Sequence, residues 1–403
     1  MLAGVLNYLD RASLSIANPV IRSEMSLSGT QMGGLLAVFS LAYGLGQIPA
    51  GSLVKRFGFR SVLGGSMLVW SGAQLLTSLV RSNPVFQAFR AILGLGESPF
   101  FPATLDAVQS SFAPERRGRA MSLVNTSTIL GQALAPPALT ALMLWAGWRG
   151  MFAVIGIAGL VFATIWLTLG ARRSAHLSEK VNSPGKNAAP FSFRNLFADP
   201  DLLALLRTKT MLGMMLGFGG INYTAWLYLT WLPGYLASEY HLKLGPTGMI
   251  SGIPFAAGAV GMLASGILTD LKVRDQQQSI SYRRHLIIVG MLLSAGCTAL
   301  VVRATSLPMA VAAISMAVLF IHFAGTAAWN LIHVSSPPRL SAQVGALQSM
   351  GSYAIASAGP IVTGWLLDRT HSFHIALLIC SVVTTAGAVA YLTMTVKPIV
   401  IEQ

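Results

Sequence analysis

Charge is what this 403-residue chain has least of: Asp, Glu, Lys and Arg together make up 10% of it, and only 13 residues are acidic. Cysteine is rarer still. Cys297 and Cys380 each stand alone in an apolar run, which excludes a disulfide framework and a thiolate metal site. The sequence has no G-x-x-x-x-G-K-[ST] loop to cradle ATP. It also lacks the clustered nucleophile, base and metal-ligand side chains that an enzyme requires, and it implies no cofactor or metal. What fills the chain instead is apolar. Hydrophobic residues make up 54%, and runs of about 20 residues, the length that crosses a bilayer, recur along nearly all of it. This predicts an all-α polytopic membrane protein. The excess of 27 basic over 13 acidic residues gives a formal charge of +14, which in a soluble chain would suggest nucleic acid. Here the basic residues sit mostly between apolar runs, as topology determinants do. The expected partner is the lipid bilayer and not nucleic acid.

About twelve spans are predicted, at 1–21, 32–53, 62–80, 85–112, 120–145, 151–169, 211–236, 249–268, 286–302, 307–332, 344–367 and 375–396. With these limits about nineteen basic residues, among them Lys55, Arg56, Arg60, Arg116 and Arg117, fall in alternate loops, and about six fall in the others. The positive-inside rule puts the richer side, with both termini, in the cytoplasm. Residues 170–210 break the pattern with a polar segment, A-R-R-S-A-H-L-S-E-K-V-N-S-P-G-K-N, and then P-F-S-F-R-N-L-F, which reads as a short interfacial helix. Six spans precede this segment and six follow. The expected organisation is an N-terminal six-helix bundle over 1–169, a cytoplasmic linker over 170–210 and a C-terminal six-helix bundle over 211–403. A faint internal echo agrees, since G-S-L-V-K-R-F-G-F-R from Gly51 and G-I-L-T-D-L-K-V-R from Gly266 each place a charged turn after a span. The first run opens at Met1 on apolar residues, only nine ahead of Asp10, without the positive flank and cleavage site of a signal peptide. A shortened or misassigned start is expected, which would put Asp10 and Arg11 near mid-helix.

Four charges interrupt the spans. Arg90, Gly94 and Glu97 are spaced i, i+4, i+7, so on a helix they form one stripe facing one neighbour. Asp10 and Arg11 supply its partner. Each such charge costs about 2.5 to 3.5 kcal/mol at mid-bilayer, so four of them cost on the order of 10 kcal/mol unless paired, hydrated or used. Asp10 and Arg11, being adjacent, point about 100° apart on a helix. The bland readings are a structural ion pair, a carboxylate locked to a neighbour at Glu97, and an Arg90 that snorkels to headgroups. The functional reading starts from charge. Two acids and two arginines sum to zero, and protonating either acid leaves a positive cluster able to hold a carboxylate in charge-assisted, bidentate fashion. Proton and anion would then favour each other reciprocally. In the second half His322 is a titrating group or a hydrogen-bonded structural imidazole. Thr326, Trp329 and Asn330, with Asn222, Tyr223 and Tyr228, are a polar and aromatic wall or interfacial anchors. Asn125, Thr128 and Gln132 line a cavity or bind helices together.

The stretches N-Y-L-D-R-A-S-L-S-I-A from Asn7, A-Y-G-L-G-Q-I-P-A-G from Ala42, R-A-I-L-G-L-G-E-S-P-F-F-P-A from Arg90 and T-W-L-P-G-Y-L from Thr230 carry a family resemblance. The chain resembles the major facilitator superfamily and, within it, the anion:cation symporter family, which includes proton-coupled permeases for galactonate, glucarate and hexuronates. The resemblance spans nearly the whole chain. It implies the major facilitator fold, about twelve transmembrane helices in two six-helix bundles. It also implies a secondary active transporter, not an enzyme, which imports a small organic anion, a sugar acid or other carboxylate, by proton symport with alternating access. Such a protein works in a bacterial inner membrane, and a monomer suffices. The resemblance gives proton coupling to Asp10 and Glu97 and substrate binding to Arg11 and Arg90, and it puts Tyr8, Tyr43 and Gln47 at cavity positions. Gln132, Tyr223, Trp329, Asn330, Gln348 and Ser349 are further candidate substrate contacts. Gly51, Lys55, Arg56, Gly58 and Arg60, with Asp270 in the second half, form the expected cytoplasmic gating motif. Two positions depart from the family pattern. Lys55 stands where an acidic residue is usual, which removes the ordinary charge latch, and span eleven offers Gln348 and Ser349 where sugar-acid permeases carry asparagine. Sugar acids, dicarboxylates and aromatic carboxylates all satisfy such a site. The competing function is an organic-anion exchanger or exporter, although G-Q-A-L-A-P-P-A from Gly131 lacks the G-P-x-x-G-G pattern of exporters.

Overall fold

A computed structural model describes residues 2–177, 200–269, 276–337 and 340–399. Every regular element among them is a helix. In order these are α1 (Leu2–Glu24), α2 (Gly29–Thr77), α3 (Asn83–Glu97), α4 (Phe100–Ser111), α5 (Pro114–Leu177), α6 (Pro200–Arg207), α7 (Lys209–Glu239), α8 (Leu244–Thr269), α9 (Gln276–Val301), α10 (Leu307–Ser335), α11 (Ser341–Ala356), α12 (Ala358–Thr370) and α13 (His374–Met394). Two of them hold two spans each, joined at a glycine corner without a loop. α2 turns at Gly58 (φ 74°) and α5 at Gly147 (φ 68°), a left-handed conformation that only glycine adopts at low cost. Two other spans are broken. Pro99 separates α3 from α4, and the chain breaks again at Ser357 between α11 and α12. The runs 85–112 and 344–367, each expected as one helix, are therefore pairs of half-helices. Counted this way, the helices make the expected set of about twelve spans. The predicted interfacial helix at 190–197 lies outside the described residues.

Among the described residues six helices are long and apolar enough to cross a bilayer by length and composition, and they fall in α2, α5, α8, α9, α10 and α13. The spans that fall short are α1, α3 with α4, α7, and α11 with α12. These carry Asp10 and Arg11, Arg90 and Glu97, Tyr223, and Gln348 and Ser349 respectively. α3, α4, α11 and α12 fall short because the breaks leave each of them too short, and α1 and α7 because they are less apolar.

Packing follows the rules of a lipid solvent, where apolar side chains gain little by leaving the bilayer and close approach of small residues matters more. Leu79, Met249, Val260, Leu263, Ile267 and Val382 are exposed around the outside. Inside, one cluster knits the first half around Leu63, Met67, Trp70 and Leu93, and another knits the second around Met211, Met291, Ile321, Leu331 and Tyr391. A third cluster joins the halves, with Leu14, Ile16, Leu35 and Leu36 on one side and Trp231, Leu232, Leu236 and Leu377 on the other. α2 lies so tightly on α12 that a Cβ built at Gly364 would sit 2.0 Å from the Gly29 carbonyl oxygen, and one at Gly33 would sit 2.3 Å from that of Pro360. α5 meets α8 the same way, through Thr140 against Gly248.

Polar contacts between the halves concentrate at one end, where α1 turns into α2. Asp368, near the end of α12, accepts hydrogen bonds from the Gly29 amide (2.6 Å), the Thr30 amide (2.8 Å) and the Thr30 hydroxyl (2.7 Å). It thereby caps α2 from the opposite half, putting an anion at the positive end of a long helix. Within α2 itself Ser28 and Gln31 form a reciprocal capping box. Nearby, Ser15 donates to the Thr230 carbonyl at 3.0 Å. Glu24 accepts from Trp148 and Arg149, tying α1 to the corner of α5. Beside the Asp368 cap lies a cavity of about 480 Å³, lined by Asn18, Arg22, Trp231 and His371 among others.

Candidate functional site

The four intramembrane charges converge. Glu97, fully buried at 0% exposure, accepts from Arg11 Nε at 2.8 Å through Oε2. The local sequence explains how the two meet. Gly94 lets α3 press on α2, since a Cβ there would lie 2.4 Å from the Phe39 carbonyl oxygen, and one at Gly96 would lie 3.1 Å from Trp70. Pro99 then ends the helix just beyond Glu97, leaving the carboxylate beside the negative end of α3, an unfavourable place for an anion unless a cation answers it. Arg11 does so. Gln47 donates to the Ser98 carbonyl at 3.2 Å, satisfying a group freed by the break.

Aromatic faces wrap the two guanidiniums. Arg11 Cζ is 4.5 Å from the Tyr43 ring centroid, 5.4 Å from that of Tyr8 and 5.5 Å from that of Phe39, and Arg90 Cζ is 4.9 Å from Phe39. Such contacts hold a desolvated cation at about 2 kcal/mol or more per favourable face. The second half closes the cage, with Tyr353 edge-on to Tyr43 at 4.9 Å and Trp226 beside Phe39 at 5.6 Å. Arg90 is 1% exposed, so the snorkelling expected as its bland alternative does not occur.

Inside the cluster Asp10 Oδ1, Glu97 Oε1, Arg90 Nε and Nη1, and Asn7 Nδ2 are buried without a well-formed hydrogen bond, with Asn7 within reach of Glu97 and Trp70 within reach of Asp10. Span eleven adds both amide atoms of Gln348, a residue with 0% exposure. Unpaired donors and acceptors at this depth are costly, and their presence in one cluster marks a place for a further polar group or proton.

The other predicted site residues distribute unevenly. Tyr8 and Tyr43 belong to the cage. Gln132 is within hydrogen-bonding reach of Tyr8 and lies 3.1 Å from His322 Nε2 on the second half. Ser349 is buried next to Gln348. Tyr223 is packed in the core that joins the halves, against Gly359. Trp329 is 46% exposed and edge-on to Phe218, while Asn330 donates to Thr269 Oγ1 at 2.7 Å, at the end of α8 remote from the α1–α2 turn. Tyr353 and Trp226 are the second-half aromatic rings that stand against Tyr43 and Phe39. In the gating motif Gly58 makes the α2 corner, Gly51 faces open space, and Lys55 and Arg56 are exposed. The Arg60 carbonyl accepts from Trp166. Asp270 lies outside the described residues. Phe39, Tyr353 and Asn7 were not anticipated. Phe39 is four residues before Tyr43 and Asn7 four before Arg11, so helical spacing from a known site residue would have found both.

Comparison with known proteins fits this arrangement. Residues 1–280 match the family described as Major Facilitator Superfamily. A "Probable L-galactonate transporter" of Escherichia coli (strain K12) is 46% identical over 98% of this chain and 88% of its own. A "Hexuronate transporter" of Bacillus subtilis (strain 168) is 28% identical over 99% of this chain and 93% of its own. Among solved structures, a bacterial homologue of the human lysosomal transporter Spinster superposes with a TM-score of 0.76 at 17% identity, covering 98% of this chain and 95% of that one. A D-xylose–proton symporter superposes with a TM-score of 0.71 at 17% identity, with the same two coverages.

Proposed function

The chain belongs to the Major Facilitator Superfamily and is an integral membrane transporter, and on that premise we propose that it imports an acid sugar, with L-galactonate as the leading candidate, by proton symport. The observation that carries this reading is the buried Arg11–Glu97 pair, set beside Arg90 and Asp10 with unsatisfied polar atoms on each of the last two. The cluster is neutral when all four groups are charged. One proton on Glu97 or Asp10 releases an arginine for a substrate carboxylate, and bound carboxylate in turn favours the proton, so the two move together. Arg11 and Arg90 are the anion ligands in this reading, Asp10 and Glu97 the proton carriers, Tyr8 a neighbour of the carboxylate at Arg11, and Tyr43 and Gln348 contacts for hydroxyls. The names of the relatives point to the same substrate class. Residues 1–169 and 211–403 act as two bundles rocking about the cluster. The basic loops, the 170–210 linker and both termini face the cytoplasm of a bacterium, and the protein works as a monomer.

The test is external pH in proteoliposomes as acid sugars are added one at a time. Symport predicts alkalinisation outside on addition of L-galactonate and of few other acids. If no acid moves protons but preloaded L-galactonate exchanges for external, the protein is an exchanger and the coupling roles of Asp10 and Glu97 fall.

A further inference from the structure

Between the charge cluster and the second half runs a short polar chain that the mechanism above does not use. Tyr8 on α1 is within hydrogen-bonding reach of Gln132 on α5, and Gln132 Oε1 lies 3.1 Å from Nε2 of His322 on α10. The other ring nitrogen, Nδ1, lies 2.9 Å from the Val318 carbonyl. Space for this chain is cut by glycine on both flanks. A Cβ at Gly131 would stand 2.9 Å from that of Tyr8, and one at Gly258 on α8 would stand 3.2 Å from His322 Nδ1.

The valences decide what this chain does. A carbonyl only accepts, so Nδ1 carries a proton, and the only site that titrates is Nε2. Facing Nε2 is an amide that presents either oxygen or NH₂ by turning over, two orientations of equal shape. With His322 neutral, the Gln132 NH₂ donates to Nε2 and its oxygen accepts the Tyr8 proton. With His322 protonated, the Gln132 oxygen accepts from Nε2–H and its NH₂ donates to the Tyr8 oxygen, so the phenolic proton turns toward the cage around Arg11. We propose that His322 is a second protonation site for transport, read by Gln132 and delivered to the substrate as a reversal of donor and acceptor at Tyr8. This rests on the reading that an acid sugar binds at Arg11. Protonated His322 gives the carboxylate an extra donor without touching it, and neutral His322 turns a lone pair toward it.

No ionisable side chain occurs on α5 between Ala120 and Trp148 or anywhere on α8. On the other packed elements the ionisable groups are Tyr282, Arg283, Arg284, His285 and Cys297 of α9, Lys209, Tyr223, Tyr228, Tyr235 and Glu239 of α7, and Tyr353 of α11, and α10 itself adds His333 near its end. Beyond Gln132 stand Tyr8, Arg11 and Glu97.

Two measurements test the proposal. The first is counterflow exchange of L-galactonate in proteoliposomes at equal pH inside and out. Wild-type apparent affinity should weaken about tenfold between about pH 5 and pH 8, the worth of one hydrogen bond to a charged group, and His322→Gln should remove most of that slope. A His322→Gln profile parallel to wild type overturns the proposal. The second needs no substrate. In ¹⁵N-histidine-labelled wild type, the signal identified by its loss in His322→Gln should show Nδ1 protonated throughout and Nε2 gaining a proton in the same range, with a midpoint that moves in Gln132→Leu. A neutral form protonated on Nε2, or a midpoint indifferent to Gln132, overturns it. Failure of wild type to exchange any acid sugar would defeat the transport reading, while the nitrogen titration would still decide the relay.

Discussion

Arg11 holds its charge in the membrane by two means, a carboxylate partner and a cage of aromatic rings, and the difference between them predicts how the site responds to substitution. Breaking a buried pair by removing one partner ordinarily costs about 3–5 kcal/mol, because the other charge is stranded. In Glu97→Gln the Tyr43, Tyr8 and Phe39 faces remain and the amide still accepts, so the protein should fold and insert. We expect Glu97→Gln to lose proton-driven accumulation of L-galactonate by tenfold or more, about 1.4 kcal/mol of coupling, while counterflow exchange persists. Concentrative uptake at the wild-type level would remove Glu97 from coupling. At this scale much was legible in the sequence. Charges are so costly in a span that Asp10, Arg11, Arg90 and Glu97 announce themselves, and the i, i+4, i+7 stripe gives their common direction. The rings were not legible in the same way. Phe39 and Tyr353 look like any apolar or interfacial residue, and only the fold brings an aromatic from span eleven over Tyr43.

The elements that matter most are those with a fault in them. α3 stops at Glu97 because Pro99 cannot continue it, and the second half repeats the device at Ser357, where Pro360 three residues on has no N–H to give the Ala356 carbonyl. Hydropathy reads straight through both breaks, which is why 85–112 and 344–367 looked continuous. The glycine corners at Gly58 and Gly147 hid for the opposite reason, since a turn was legible but its tightness was not. The Asp368 cap on α2 was also invisible, because it joins residues more than three hundred positions apart. Its carboxyl is pushed up by partial burial, but hydrogen bonds from Thr30 and Gly29 outweigh this and hold it below the ordinary aspartate value. A carboxyl depressed in this way contributes stability above its unfolded pKa, and that stability is lost only as pH falls through the lower folded value. The clasp should therefore be indifferent to pH from about 8 down to about 5, well above the ordinary aspartate value of about 3.9. Asp368→Asn should loosen it. The measure is labelling of an Asn18→Cys variant by a membrane-impermeant maleimide, expected to quicken severalfold with Asp368→Asn, with the ratio of the two rates constant over this pH range because the thiolate fraction cancels. Equal rates with and without the carboxylate would mean that the glycine contacts alone close this end.

For the whole molecule, the plan of about twelve spans was readable from run lengths. The state in which the halves meet was not, because contact between them depends on absent side chains more than present ones. Gly29, Gly33 and Gly364 bring α2 and α12 together at this end, and a side chain at Gly364 would collide with backbone, which cannot step aside. Gly364→Leu should thus prevent this end from closing. Counterflow should fall to background while the protein still inserts and elutes at the wild-type volume, and retained exchange would show that closure here is not required for the cycle.

The first limb of α2 stays helical from the Asp368 cap, through Pro49, to the exposed corner at Lys55 and Arg56, a lever about 40 Å long at 1.5 Å per residue. Each degree of tilt about the clasped end sweeps the corner through about 0.7 Å. The basic corner is therefore the far tip of a pointer whose pivot is on the opposite face of the membrane. An antibody or small binder raised against that corner would read the state of the remote gate from a surface that the gate itself never reaches.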